Sequence, residues 1–266
     1  MANLSHLSEG EMKEILMLQE RLMLLDTQHK ARDSFMEYIR YIWPRFIEGD
    51  HHRIIADKLT RVAKGELKRL IVNMPPRHTK SEFASIYFPS WVMGLNPDMK
   101  IMQTTHTADL SINFGRKVRN LMDSDEYSNI FPKVSLASDS KSAGKWQTSQ
   151  GGEYFAAGVG GAIAGRGADL LIIDDPHSEQ DALSANAYDN AYEWYTSGPR
   201  QRLQPGGAII VVMTRWGLKD LTGRLIKAQG SDIMSDEWEI VEFPAILPSD
   251  KPLWPQFWKK DDLLKV

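Results

Sequence analysis

Lys80 and Ser81 follow one apolar run, Leu70, Ile71, Val72 and Met74; Asp174 and Asp175 follow another, Leu170 to Ile173. Short apolar runs of this kind read as buried strands. An ammonium, a hydroxyl and two carboxylates are therefore delivered to or just beyond strand ends, where they suit phosphate chemistry. In the first segment, Arg69 to Glu82 (RLIVNMPPRHTKSE), Pro75 and Pro76 stop the strand, because proline offers the sheet no N–H. Pro76, Arg77, His78 and Thr79 form a tight loop, and Glu82, Phe83, Ala84, Ile86 and Tyr87 continue as a helix. Strand, loop, Lys-Ser and helix is the layout of a phosphate-binding P-loop. Its backbone N–H groups point at phosphate oxygens. Lys80 reaches the β/γ-phosphates, and the Ser81 hydroxyl binds Mg²⁺. The usual pattern is G-x-x-x-x-G-K-[ST], and here Met74 and Thr79 stand where the two glycines belong. Taken alone, the segment has a second meaning, a proline-rich turn capped by Ser81.

The second segment is Ala168 to Pro176 (ADLLIIDDP). Its wholly apolar strand is of the kind buried on both faces of a parallel sheet. Its acids sit at the carboxyl end, where ligands bind in open α/β sheets. In this Walker-B-type arrangement Asp174 holds Mg²⁺, directly or through water, and Asp175 orients or activates the attacking water. The plainer meaning is a solvated Asp-Asp-Pro turn. Together with Lys80-Ser81, the pair points to a P-loop NTPase with ATP and Mg²⁺ as its ligands. A third segment, Ala208 to Trp216 (AIIVVMTRW), is another buried strand ending in Thr214-Arg215. Thr214 reads either as a sensor of the γ-phosphate or as a strand-end cap.

These elements need a scaffold, and the composition supplies an ordinary one. The 266 residues suffice for one large α/β domain or two small ones, with 42% apolar and 25% charged residues. The net charge of −3 leaves any nucleic-acid contact to a local patch. There is no cysteine, which excludes disulfides and thiolate metal sites and suits a reducing compartment. No apolar run approaches the roughly 20 residues of a membrane helix, and the start, MANLSHLSEGEMKE, has neither the basic nor the apolar part of a signal peptide. A cytoplasmic protein is expected.

Residues 8–30 read as a helix with a Ser8–Glu11 capping box. The expectation is that it packs on its own chain; a lid or an arm docking a neighbour is the alternative. Phe35 to Phe46 is helical until Pro44 ends it. His51 to Lys64 follows as a helix whose outer face carries Arg53, Lys58, Arg61 and Lys64, a solvated basic face or a contact for DNA phosphates. His51-His52 has no carboxylate at ligand spacing, which argues against a metal site. Lys100 to Thr105 is a strand, and His106 to Met122 a helix. Asp123 to Gln150 reads as irregular, Glu153 to Ala157 as a short strand, and Gly158 to Gly167 (GVGGAIAGRG) as a tight turn or mobile loop. Leu221 to Ala228 is a helix and Trp238 to Phe243 a last strand. The prolines at 244, 248, 252 and 255 make the tail read as a linker.

The strings PPRHTKSE, GVGGAIAGRGADLLIIDDP, RLQPGGAIIVVMTRW and DLTGRL, in that order, resemble the ATPase domain of a tailed-phage large terminase, the DNA-packaging motor. The resemblance runs from about Pro44 to Trp258. It implies an α/β fold of the ASCE/RecA-like P-loop type, a mostly parallel central sheet flanked by helices with a helical N-terminal segment. It implies a helical segment or lid over residues 1–43, an ATPase domain over 44–243, and a proline-rich linker over 244–266 leading to a nuclease domain that this chain lacks. The expectation is a shortened chain or a gene product whose nuclease is separate, without nuclease activity of its own. The implied activity is ATP hydrolysis driving double-stranded DNA into a procapsid. The implied partners are DNA, a portal protein, a small terminase subunit and copies of the same chain in a ring, with no membrane. The place is the bacterial host cytoplasm, transiently at the portal vertex.

By the same resemblance, Pro76, Arg77, His78, Thr79, Lys80, Ser81 and Glu82 are the nucleotide-binding segment. Ser81 and Asp174 are the metal residues, Asp175 the catalytic base, and Thr214 the coupling residue. Arg77 matches an arginine often found in that loop. A ring also calls for an arginine reaching the neighbour's γ-phosphate. Arg166, in the glycine-rich loop at the opposite end of the Asp174 strand, is the first candidate and Arg202 the second; pairing with a surface acid is the alternative for Arg166. Asp175 falls where many members have glutamate. Thr79, β-branched, resists the positive φ expected at its place, so weak nucleotide binding or a docking module with a degenerate site is a further reading. A helicase-like NTPase is the other, though the chain has no room for a second lobe.

Overall fold

The computed structural model describes residues 8–139, 142–163, 165–181, 184–231 and 235–265. The apolar runs form the middle of one sheet: β1 (Arg69–Asn73), β5 (Ala168–Asp174) and β6 (Leu203–Met213). Around them lie β2 (Lys100–Thr105), β3 (Lys145–Gln147), β4 (Glu153–Gly158) and β7 (Glu239–Glu242). The order is β3-β4-β2-β5-β6-β1-β7. Every pairing is parallel except β3 with β4. Residues of alternating parity face opposite sides, as the pleat requires. Leu70, Val72, Leu170, Ile172, Ile210 and Val212 belong to one core; Ile71, Leu171, Ile173, Ile209, Val211 and Met213 belong to the other.

Helices cover both faces. The first core packs against α2 (Phe35–Ile42), α3 (Asp50–Ala63), α4 (Phe88–Leu95), α5 (Ala108–Met122) and α6 (Asp125–Ile130). The second packs against α7 (Ala185–Ser197) and α8 (Leu221–Gln229). This is the mixed α/β class read from the sequence, with a mostly parallel sheet between helical layers. The strand that leads to Lys80, β1, and the strand that ends in Asp174, β5, are not neighbours: β6 lies between them. Register places Asp174 level with Val212, and Val212 level with Val72, so the three strands end together.

Four features differ from the sequence reading or were absent from it. The long helix α1 (Glu9–Asp33) has its capping box, with Ser8 N–H donating to Glu11 at 2.8 Å. Only its C-terminal turns pack on its own chain: Gln28 and Ala31 are buried, and Ala31 sits in the first core with its carbonyl accepting from the Trp91 indole N–H at 2.9 Å, whereas Leu22 and Met23 are 65% and 63% exposed. Its apolar residues, Ile15 to Leu18 and Leu22 to Leu25, run round the whole helix, so no single stripe directs it onto the sheet. The stretch read as irregular, 123–150, contains α6 and β3; Trp146 in β3 is fully buried and stacks on Tyr154 with ring centroids 4.9 Å apart. The helix α7 was not foreseen. The helix after Ser81 opens as a wide π-helical turn, Glu82–Tyr87, before α4. Pro89 lies one turn on and has no N–H to donate to the carbonyl four residues back, which favours the wider turn.

The basic face of α3 is largely paired. Arg53 meets Glu48 at 2.5 Å, and Lys58 and Arg61 meet Glu239 of the edge strand at 2.5 and 2.9 Å. After β7 the chain folds back, and Trp254 is buried against the His51 and His52 rings at 5.7 and 4.9 Å. No helix among the described residues is long and apolar enough to cross a membrane.

Candidate phosphate-binding site

The C-terminal ends of β1, β5 and β6 bring Lys80, Ser81, Asp174, Asp175 and Thr214 together. Lys80 Nζ meets Asp175 Oδ2 at 2.7 Å, and the Thr214 backbone N–H donates to Asp175 Oδ1 at 2.8 Å. Both oxygens of Asp175 are thus engaged. Asp174 is buried, and accepts from Ser81 Oγ at 3.1 Å and from Ser85 Oγ at 2.7 Å. Burial first, and then the neighbouring Asp175 carboxylate, push Asp174 well above the usual carboxylate range; Lys80 and the two serines act against that shift. Beside these groups opens a cleft of about 760 Å³, lined by Pro76, Lys80, His106, Asp175, Glu179 and Thr214 among others. The His106 N–H and the Asp175 carbonyl lie 3.2 Å apart across the mouth of the cleft.

The loop has the backbone of a phosphate cradle. Arg77 and Thr79 both adopt left-handed conformations, with φ of 59° and 67°. For Thr79 that conformation costs on the order of 1–3 kcal/mol unless neighbours hold it. Here they do: His52 Nε2 lies 2.7 Å from Thr79 Oγ1, and that hydroxyl donates to the His78 carbonyl at 2.6 Å. Asp175 is likewise at positive φ, 41°, so backbone strain clusters in the residues that read as functional.

The other expected residues fall as follows. Pro76 and Arg77 are exposed on the loop, and Arg77 has no ion-pair partner among the described residues. The His78 ring turns away from the cleft mouth: it is buried, its Nδ1 lies 2.8 Å from the Pro76 carbonyl, and it stacks on Trp258. Glu82 begins the π-helical turn. Thr214 follows the last residue of β6, and its hydroxyl reaches the Met74 carbonyl at 3.5 Å. Arg166 precedes β5, roughly 20 Å of strand from Asp174. The surface acid named as its alternative partner is present: Arg166 meets Glu153 at 2.8 Å and lies 3.9 Å over the Phe155 ring. Arg202 ends the short turn before β6, at the same end of the sheet as Arg166, and its Nε is buried without a partner among the described residues. Ala164 of the glycine-rich run lies outside the described residues.

Several contributors were missed in the sequence. Ser85 is one turn beyond Ser81 and binds the same carboxylate. Asp220 caps α8 and accepts from the backbone N–H groups of Trp216, Gly217 and Gly223, and from Arg215 at 3.0 Å. An aspartate just before an apolar helix start was a readable signal. His177, two residues past Asp175, accepts from the Leu221 N–H at 2.9 Å, and Thr222 donates to Asn73, the last residue of β1. Nothing local in the sequence marks His177 or His52.

The groups present suit a hard cation bound together with phosphates. One carboxylate and one hydroxyl, Asp174 and Ser81, are too few for an all-protein cage, and no group of three or more metal-type ligands exists among the described residues. Mg²⁺ characteristically takes one or two protein oxygens and completes its shell with water and phosphate. Both ring nitrogens of His52 are engaged, Nδ1 by the Gly49 N–H and Nε2 by Thr79 Oγ1.

No protein-family model and no curated protein matches the chain. Among solved structures, the crystal structure of the HK97 bacteriophage large terminase is similar, with a TM-score of 0.49 and 15% sequence identity. The match covers 85% of this chain and 49% of that one, so the chain spans about half the length of that structure.

Proposed function

We propose that this chain is the ATP-hydrolysing motor domain of a viral terminase large subunit, driving double-stranded DNA into a procapsid. One observation carries the reading: Lys80 and Ser81 meet Asp175 and Asp174 at 2.7 and 3.1 Å, across strands whose ends are held level by β6. The four ordered motif strings support the packaging role. Residues 44–243 are assigned to the ATPase, 1–43 to a helical segment beside it, and 244–266 to a connection towards a nuclease.

In this account, backbone N–H groups of residues 77–81 and the Lys80 ammonium bind the β- and γ-phosphates. Ser81 and Asp174 would hold Mg²⁺, which when bound would supply charge neutralisation on the transferring phosphoryl group. Binding draws Lys80 off Asp175. The freed Oδ2 then orients a water molecule and accepts its proton as the water oxygen attacks the γ-phosphorus, while Oδ1 stays fixed by the Thr214 N–H. The products are ADP and phosphate. Arg77, exposed on the same loop, would add a positive charge in cis, and Arg202, or Arg166 once drawn off Glu153, would add one to a neighbour's site.

Coupling runs through named contacts. Asp175 holds Thr214; Asp220 gathers Arg215, Trp216 and Gly217; and His177 and Asn73 hold the start of α8. A shift of Asp175 on nucleotide binding therefore moves the segment from Thr214 into α8. The φ of 67° at Thr79 supports this reading over a docking module with a degenerate site, which was motivated by the resistance of a β-branched residue to positive φ. The test is ATP turnover with and without double-stranded DNA, procapsids and portal. Stimulation by DNA and procapsids together is expected. Turnover indifferent to both would leave an NTPase that is not a packaging motor.

A further inference from the structure

We infer that His52 is a positioning residue for the phosphate loop: through its Nε2–H it holds the β-branched Thr79 in the left-handed conformation that this loop pattern ordinarily gives to glycine. The inference rests on the reading of residues 74–81 as an ATP site. It adds a residue from a different element, the first turn of α3, to that site.

The hydrogen-bond polarity leaves one arrangement. The Gly49 backbone N–H donates to His52 Nδ1 at 2.8 Å, so that nitrogen carries no proton. The ring proton is then on Nε2, which faces Thr79 Oγ1 at 2.7 Å. Thr79 Oγ1 accepts it and passes its own hydrogen to the His78 carbonyl at 2.6 Å. Backbone N–H, imidazole, hydroxyl and carbonyl form a directed chain in which each group is used once.

The imidazole itself is fixed. It is fully buried, lies edge-on to Phe46 at 4.7 Å and to Trp254 at 4.9 Å, and stacks on Phe83 at 5.1 Å. Burial, followed by the charges of His51 and His78, pushes its pKa down to about 2, so it stays neutral and Nδ1 stays an acceptor.

The partner of this chain is a residue under strain. Thr79 has φ 67° and directly precedes Lys80. Glycine would adopt that φ without cost, whereas the Thr79 Cβ resists it. Relaxing Thr79 to negative φ would swing its hydroxyl off the imidazole and reorient the peptide that leads into Lys80. His52 and Thr79 are therefore a unit, and His52 matters to the loop because residue 79 is not glycine.

A double-variant cycle tests this on the full chain: wild type, His52→Phe, Thr79→Gly and the pair together. His52→Phe keeps an aromatic ring in the cluster and deletes both hydrogen bonds. Two readouts are taken, Mg·ATP affinity by calorimetry and melting temperature without nucleotide. With Thr79 present, His52→Phe is expected to weaken Mg·ATP about tenfold, or ~1.4 kcal/mol. With glycine at 79 the same change should cost no more than roughly twofold. The drop in melting temperature should shrink in the same way. His52→Gln, which can still offer an N–H to Thr79, should recover most of the affinity. Equal losses from His52→Phe in both backgrounds, in both readouts, would overturn the inference and leave His52 as packing alone. If wild type binds no Mg·ATP, the ATP reading fails, and the nucleotide-free melting cycle still decides the His52–Thr79 coupling. Should His52→Phe not fold, Thr79→Val, which puts a methyl in place of the hydroxyl, takes its place: a comparable loss of Mg·ATP affinity and of melting temperature is expected, and no loss in either readout would overturn the inference.

Discussion

Asp175→Asn separates two roles that the structure gives to one carboxylate. Asp175 is a competitor for Lys80, meeting its ammonium at 2.7 Å while the other carboxylate oxygen accepts from the Thr214 N–H at 2.8 Å. Asparagine has a single carbonyl oxygen and cannot serve both, so Lys80 is released. A hydrogen bond to a charged group contributes about 1.5–3 kcal/mol. The Asp175 side chain opens onto the cleft with 27% exposure, which reduces this to about 1 kcal/mol by solvent screening. Removing a competitor of that size should tighten Mg·ATP about fivefold. Turnover should move the other way. An amide cannot take the proton of the attacking water, and loss of a positioned general base lowers the rate by about 10²–10⁴. Calorimetry gives the first quantity and single-turnover hydrolysis the second. A wild-type rate in Asp175→Asn would remove Asp175 as the base. Weaker binding would show that the Lys80–Asp175 pair does not compete with the nucleotide.

Asp174 is held above the usual carboxylate range, so the folded chain keeps a proton that the unfolded chain has released, and stability falls as pH rises from about 4 through the raised value. Asp174→Asn should therefore melt higher than wild type at pH 8 and converge with it near pH 4; a gap that does not change with pH would contradict this. The buried histidines work in the opposite direction: burial lowers His51 to about 4 and His52 to about 2, and lowers His78 as well. Their contribution is complete above about pH 6.5 and is lost as pH falls below it. His51→Phe should flatten the melting curve between pH 6.5 and 4, and an unchanged slope would mean His51 is not buried neutral. Arg166→Ala loses an ion pair with Glu153 and should change stability by less than about 1 kcal/mol. It should keep nucleotide binding, abolish packaging-linked hydrolysis, and recover some turnover when mixed with Lys80→Ala subunits; absence of rescue between folded, assembled variants assigns the finger elsewhere.

What was legible in the sequence was whatever a single segment decides. β1, β5 and β6 are apolar runs with polar residues at one end, and the parallel sheet puts those ends together; Lys80, Ser81, Asp174 and Asp175 could be named without seeing the fold. What escaped was decided by contacts distant in sequence. β3 is three residues long and exists because Trp146 buries itself against Tyr154, which periodicity cannot register. In α1, Met12, Ile15, Leu16, Met23 and Leu25 read as much of an apolar face, but the apolar residues are spread round the helix, and Leu16, Met23 and Leu25 stay in solvent. Thr79 looked like a flaw in the loop because the residue that holds it, His52, lies 27 positions away on another element. The tail at 244–266 read as a linker from its prolines, yet Trp254 and Trp258 place it against His51, His52 and His78. Prolines describe the backbone, whereas aromatic rings decide where it docks.

Lys80, Ser81, Asp174 and Asp175 are proposed to form one ATP-hydrolysing site. The most direct test is ATP turnover by the purified chain in Mg²⁺, beside Lys80→Ala prepared identically and shown to melt at a comparable temperature. Slow, Mg²⁺-dependent release of phosphate is expected from the wild-type chain and none above background from Lys80→Ala. Equal turnover by the two proteins, or turnover by neither under conditions that include DNA and procapsids, would contradict it.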